Sequence, residues 1–307
     1  MRRLFILVMA CSLAGLGAAQ RNSTETRRSN TSSQERTPTL DEVRAMADHA
    51  IAGQHQDDAA INDYERIERH VVRTSATNDR ITEDKTYRVV PTGAGTLKLL
   101  IKEGGKPVSR DEYLRQLRVW EEVLEVAVNP NDPRARADQE KWQKRMKDRE
   151  DLVDAARKAY HAKWLGRDTR DGRVCAKLLL EPNPEFQPRS RSAEILTHAR
   201  ATIWIDETSG QLARGNAEII KDISFGGGIL GKIYRGGRFD MEQSEIAPGV
   251  WFPMRYQYDF VGRNFLFGFE LHEYTEISHY RRLGTPREAL ALVRSELQSG
   301  QAIPGDP

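Results

Sequence analysis

Two consecutive segments near the C-terminus alternate aromatic or apolar residues with polar ones, and this alternation constrains the fold more than any other feature of the chain. The alternating residues are Met254, Tyr256, Tyr258 and Phe260 in the first segment and Phe265, Phe267, Phe269 and Leu271 in the second. Because successive side chains of a β-strand point to opposite faces, a period of two predicts two strands, each with one apolar face. Residues 261–264 between them predict a tight hairpin turn.

Further short strands are predicted on both sides of a helical region. Residues 64–74, 85–91 and 96–102 are rich in β-branched and aromatic residues, and similar segments resume at about Ala159. Together they predict an antiparallel meander of roughly nine to eleven strands in which sequential neighbours pair. Such a meander cannot stay flat because strand twist curls it, and its apolar face needs a cover.

Helices can supply that cover. Thr39 or Asp41 can cap a first helix, Ser109 starts a capping pattern at the head of a charged helical insertion over 109–158, and Thr285 can cap a last helix. The predicted fold class is therefore α+β. It is a long antiparallel meander curled into an incomplete (half) β-barrel closed by helices, with an apolar cavity between sheet and helices.

The N-terminus predicts export. Two arginines precede an apolar run over residues 4–16, and small residues follow up to Ala19, which is the pattern of a secretory signal peptide over residues 1–19 that is cleaved after Ala19. The run spans roughly 13 residues, below the ~20 that a helix needs to cross a bilayer, so no transmembrane span is predicted. The expected location is the periplasm or cell envelope. An alternative is a lipoprotein signal acylated at Cys11, which the very short apolar run before Cys11 disfavours.

The remaining chain divides into three parts. Residues 20–38 hold no apolar residue able to seed a core and predict a disordered leader. Residues 39–300 predict a single half-barrel domain that contains the helical insertion, and residues 301–307 form a tail.

Composition excludes some classes of function. Lys and Arg number 47 against 45 Asp and Glu, a net charge of +2, which offers no electrostatic basis for binding nucleic acid. If Cys11 leaves with the signal, Cys175 is the single remaining cysteine and no internal disulfide can form. The apolar surroundings of Cys175 in the sequence favour a small buried residue over a reactive thiol.

No motif predicts catalysis, a metal or a cofactor. Gly226 to Lys232 has the spacing of a phosphate-binding loop, but Ile233 replaces the required hydroxyl residue and a strand pattern follows where a helix is needed. The seven histidines show no paired ligand spacing, and no serine-nucleophile motif is present. An envelope hydrolase or transferase stays an alternative that needs a polar cluster, such as His272 with a carboxylate; His272 shares a predicted strand face with Tyr274 and Glu276.

Two segments and the last pair of predicted strands resemble the LolA-like outer-membrane lipoprotein carriers. The segment 171–182 ends in Leu180-Glu181-Pro182, and the segment 201–212 contains Ile203-Trp204-Ile205-Asp206 before a turn. The resemblance extends over about residues 62–282, and the insertion at 109–158 departs from it. It implies an exported half-barrel that binds an acyl chain or another hydrophobic ligand and does not catalyse a reaction.

Aromatic and apolar strand residues are the candidates for lining the ligand cavity. They are Trp204, Trp251, Tyr256, Tyr258, Phe265, Phe267, Phe269 and Leu271. The same residues could instead fill the core of a sheet packed on helices, and the sequence does not separate the two. The expected partners are a lipid or acyl chain and an envelope protein. An alternative function is an interaction module that docks through the charged helical insertion.

Overall fold

The computed structural model describes residues 36–75, 80–225, 228, 230–265 and 267–299. The predicted signal peptide with its cleavage site, Cys11, nearly all of the predicted leader and the tail lie outside these residues.

Five helices and thirteen strands occur in the described residues. The helices are α1 Leu40–Ala60, α2 Arg110–Val128, α3 Pro133–Ala159, α4 Arg191–Glu194 and α5 Pro286–Ser299. The strands are β1 Tyr64–Arg73, β2 Ile81–Pro91, β3 Thr96–Glu103, β4 Lys106–Pro107, β5 Tyr160–Arg170, β6 Arg173–Pro182, β7 Ala199–Asp206, β8 Leu212–Ile219, β9 Ile223–Phe225, β10 Gly231–Ile233, β11 Arg238–Ala247, β12 Val250–Asn264 and β13 Phe267–Arg282.

The strands form one antiparallel sheet whose edges do not meet. Its order is β4-β3-β2-β1-β13-β12-β11-β8-β7-β6-β5, with β10 pairing to β12 and β9. The first strand thus pairs with the last, and the edges are the two strands that flank α2 and α3 in sequence. This confirms the predicted fold class, an α+β incomplete barrel. The strand count exceeds the expected range because β4, β9 and β10 are only two or three residues long.

The predicted hairpin turn at residues 261–264 is wrong. These residues belong to β12, and the chain turns after Asn264, where Phe265 has a φ of 52°. The end of β12 is extended because β10 pairs with Gly262 and Arg263. A Cβ atom at Gly262 would meet the backbone oxygen of Lys232, so glycine permits the close approach of these two strands.

Side-chain caps define where the helices begin. The Thr39 side chain accepts a hydrogen bond from the Glu42 backbone N–H, while the Glu42 carboxylate accepts from the Thr39 N–H. Ser109 caps α2, and Asp132 caps α3 with a proline at the first helical position. Local sequence therefore places the helices that cover the sheet.

The helices cover the sheet in two groups. On one side, α2 and α5 pack on β2 and β3 around the buried residues Leu99, Leu117, Leu124 and Leu290, which form a filled core. Over different strands of the sheet, α1 packs on β6 and β7, and α3 runs beside α1. The second group leaves space between helix and sheet.

Candidate functional site

A cavity of about 830 Å³ lies between α1, α3 and the strands β5, β6, β7, β8 and β11. Its floor is the apolar face of the sheet, and the floor residues are Leu180, Ile203, Leu212, Phe239 and Met241. Ligand-binding pockets in proteins have volumes of roughly 300–1,000 Å³ and mostly apolar linings. The cavity therefore has the size and chemistry to take a hydrophobic small molecule.

Small side chains keep this space open. Ala47 and Ala50 on α1, Ala156 on α3 and Ala162 on β5 all border the cavity. The methyl group of an alanine at each of these positions is too short to fill the space between the helices and the sheet. In the neighbouring region Val43 of α1 packs directly on Ala176, Leu178 and Ile205, and the gap is filled there.

Buried polar contacts hold α1 in place over the sheet. The Asp57 carboxylate accepts a hydrogen bond from the Trp251 backbone N–H at 3.1 Å. Burial raises the pKa of Asp57 to about 6, the Trp251 N–H opposes this shift, and the neighbouring Asp58 charge adds to it. The Gln243 amide of β11 donates to the Gln54 side chain and to the Leu212 backbone oxygen. These contacts join the wall of the cavity to its floor.

Ion pairs join the two helices that wall the cavity. Arg149 of α3 binds Asp58 near the end of α1, and Arg157 of α3 lies 3.3 Å from Asp48, about three turns earlier in α1. The two helices therefore run antiparallel. Arg149 and Arg157 also border the cavity, together with Arg44 of α1.

The eight residues predicted to line a cavity are not among those that border this one. Tyr256, Tyr258, Phe269 and Leu271 do come together, in a cluster that packs against Phe239. They lie beside the cavity floor on the same face of the sheet, since Tyr258 and Tyr256 of β12 pair with Phe239 and Met241 of β11. Their direct contact with a ligand stays a prediction that these packing contacts do not support.

The other four predicted residues lie apart from this cluster. Trp204 points to the opposite side of the sheet from Ile203 and Ile205, where its indole N–H donates to Asp168 at 3.0 Å. Trp251 is buried beneath the Arg173 guanidinium. Phe265 and Phe267 are exposed, at 46% and 79%.

The true lining residues carried a weaker signal in the sequence. Phe239 and Met241 alternate at a period of two, and Ala47 and Ile51 share one face of α1. Large aromatic residues stand out in a sequence because they dominate cores and pockets alike, whereas alanines that leave a space do not stand out.

His272 is buried on β13 between two carboxylates. Its Nδ1 lies 3.1 Å from Asp259 and its Nε2 lies 3.2 Å from Glu270. Tyr274 and Glu276, which share the predicted strand face of His272, contact Arg69 of β1. His272 is not among the residues that border the cavity, so a catalytic role there has no geometric support.

Of the other two residues that the sequence raised as chemical candidates, Cys175 is buried and Lys232 is held in an ion pair. Burial raises the pKa of the Cys175 thiol to about 11, which disfavours the nucleophilic thiolate. Lys232, the lysine of the phosphate-binding-loop spacing, binds Asp222 at 2.7 Å and lies on strand β10.

Within the described ranges, His, Cys, Asp and Glu side chains form no group of three or more that could hold a metal ion. No helix found there is long and apolar enough to cross a membrane.

Comparisons with known proteins give matches among solved structures only, all of low sequence identity. No family model matches the chain, and no curated protein matches it. Among solved structures, the chain is similar to a DUF1329 family protein from Desulfovibrio piger, with 12% identity, a TM-score of 0.30, and coverage of 78% of this chain and 92% of that one. It is also similar to a LolA superfamily protein from Nitrosomonas europaea, with 11% identity, a TM-score of 0.29, and coverage of 83% and 98%.

Proposed function

We propose that this protein binds a hydrophobic ligand, a lipid or an acyl chain, in the cavity between α1, α3 and the sheet. It acts as a non-catalytic carrier or sensor in the periplasm or cell envelope. The observation that carries the proposal is the 830 Å³ cavity with its apolar floor. The location rests on the signal peptide predicted at residues 1–19.

The physical reason is the gain from burying methylene groups. Each buried CH₂ contributes about 0.8 kcal/mol, and 1.4 kcal/mol is a factor of ten in affinity. A chain that extends over Leu212, Phe239 and Met241 replaces water on an apolar surface. Affinity for linear ligands is expected to rise about tenfold or more for each two added methylenes until the cavity is full.

The test measures displacement of an environment-sensitive fluorescent dye from the delipidated protein by fatty acids of increasing chain length. Ala47→Trp places an indole in the cavity and is expected to lower affinity at least tenfold. Ala45→Trp is the matched control, because Ala45 lies on the exposed side of the same helix. If affinity does not depend on chain length, or if Ala47→Trp binds as well as Ala45→Trp, the proposal is wrong.

A further inference from the structure

The charged side chains that border the cavity are almost all of one sign. The basic residues are Arg44, Arg149, Arg157, Lys158 and Lys163, and the acidic residue is Asp48. The net charge of the whole chain is only +2, so basic side chains are concentrated on this border, although Lys163 is already paired with Glu181 next to it. A cavity with an apolar floor and a cationic border matches a ligand with an apolar body and an anionic end.

Arg44 and Arg157 mark the mouth of the cavity. Arg44 lies in the second turn of α1 and Arg157 in the last turn of α3, ends that the antiparallel arrangement brings together. Both border the cavity, and their side chains remain 61% and 39% exposed. Two guanidinium groups therefore lie where the cavity meets solvent.

The existing partners of these two arginines are easily replaced. Arg44 lies 3.6 Å from Asp41, and Arg157 lies 3.3 Å from Asp48, with both acids well exposed. Exposed ion pairs contribute little to stability because water and salt screen them. A ligand carboxylate can take the place of Asp41 or Asp48, since each arginine makes only one long contact with its aspartate and a guanidinium can bind a free carboxylate through two parallel hydrogen bonds.

Arg149 differs from these two. Its pair with Asp58 is largely buried and joins α1 to α3 at the other end of the cavity. It is a structural contact, so the head of a ligand is expected at the mouth, at Arg44 and Arg157.

We propose that the ligand is a long-chain carboxylate whose alkyl chain lies on the apolar floor and whose head group binds Arg44 and Arg157 at the mouth. This inference rests on the proposed function and adds the chemical class of the ligand. We commit to a carboxylate among anions because each arginine already lies next to a carboxylate of this chain, at 3.6 Å for Arg44 and 3.3 Å for Arg157.

The experiment compares two ligands of equal chain length, hexadecanoate and hexadecan-1-ol, for dye displacement from the delipidated full chain. Hexadecanoate is expected to bind at least tenfold more tightly at low salt and to lose this advantage at high salt. The double variant Arg44→Gln with Arg157→Gln is expected to bind both ligands alike. Lys144→Gln with Lys147→Gln removes the same charge from the exposed side of α3 and is expected to keep the preference.

The outcomes separate this inference from the proposed function. If the unmodified protein binds both ligands equally at low and at high salt, the proposed carboxylate head group is wrong, and the proposed hydrophobic cavity is unaffected. Binding of neither ligand overturns both proposals. Much tighter binding of hexadecyl phosphate than of hexadecanoate overturns the carboxylate in favour of a phosphate head. The salt dependence of the unmodified protein decides the question even if the arginine variant does not fold.

Discussion

The Asp57 carboxylate accepts a hydrogen bond from the Trp251 backbone N–H while its second oxygen finds no partner among the described residues. This contact links α1 to the start of β12, so it fixes one wall of the cavity against the sheet. A buried carboxylate with one oxygen unsatisfied is costly in its charged form. The contact therefore holds the helix at a cost that depends on pH.

We predict that Asp57→Asn stabilises the protein at neutral pH. The folded pKa of Asp57 is about 6 against an ordinary value of 3.8, so the folded state binds the proton more tightly. The stability that protonation contributes is complete below about pH 4 and is lost as pH rises through 6. The difference in free energy of unfolding between variant and parent should grow in favour of the variant by at most about 3 kcal/mol between about pH 4 and pH 7.

Urea denaturation at several pH values measures this difference. Asp148→Asn serves as the control, because it makes the same chemical change at an exposed carboxylate on α3. A constant difference between Asp57→Asn and the parent across this range would contradict the prediction.

We predict that His70 makes the protein more stable at mildly acidic than at alkaline pH. Burial lowers the pKa of His70, but hydrogen bonds to Glu273 and Glu68 outweigh burial, so the folded pKa is raised. The stabilisation is complete below the unfolded pKa of about 6.5 and is lost as pH rises through the folded value. His70→Gln should therefore cost more stability near pH 6 than near pH 9. Thermal denaturation of the variant and the parent at both pH values measures this loss of stability, and His161→Gln at an exposed position is the control. A loss of stability in His70→Gln that is the same at both pH values would refute the prediction.

We predict that Asp58→Asn destabilises the protein by about 1–3 kcal/mol, because it leaves the largely buried Arg149 without its carboxylate. The same change at Asp148, whose pair with Lys144 is exposed, should cost less than about 0.5 kcal/mol. Chemical denaturation of both variants gives the comparison. Equal costs would show that Arg149 does not depend on Asp58 to join α3 to α1.

We predict that Glu296→Gln destabilises the half of the fold that α2 and α5 cover. The buried Arg88 guanidinium donates to Glu296 at 2.8 and 2.9 Å, and the Tyr113 hydroxyl donates to the same carboxylate at 2.9 Å. Removing that charge leaves a buried cation with less compensation, which costs about 2–4 kcal/mol.

Glu125→Gln is the matched control for this change, because Glu125 pairs with Arg294 of α5 at an exposed position. Its expected cost is below about 1 kcal/mol. A loss at Glu296 no larger than the loss at Glu125 would show that the buried contact does not hold α5 to the sheet.

Local chemistry was sufficient for the fold class and the helix starts. Thr39, Ser109 and Asp132 each cap a helix through contacts within three residues, and alternation in the strands depends only on which neighbours are apolar. Such signals lie within a few consecutive residues, so they are readable in the sequence.

The tertiary structure alone decided which residues border the cavity. Phe267 and Phe239 look alike in the sequence, yet Phe267 is exposed near a hairpin turn and Phe239 forms the cavity floor. Their positions follow from the pairing of β8 with β11 and of β12 with β13. They also depend on α1 and α3, which cover only part of the sheet. Burial is a property of contacts between residues far apart in the chain. The sequence by itself determined that there would be an open antiparallel sheet and helices to cover it, and long-range packing determined where the cover leaves space.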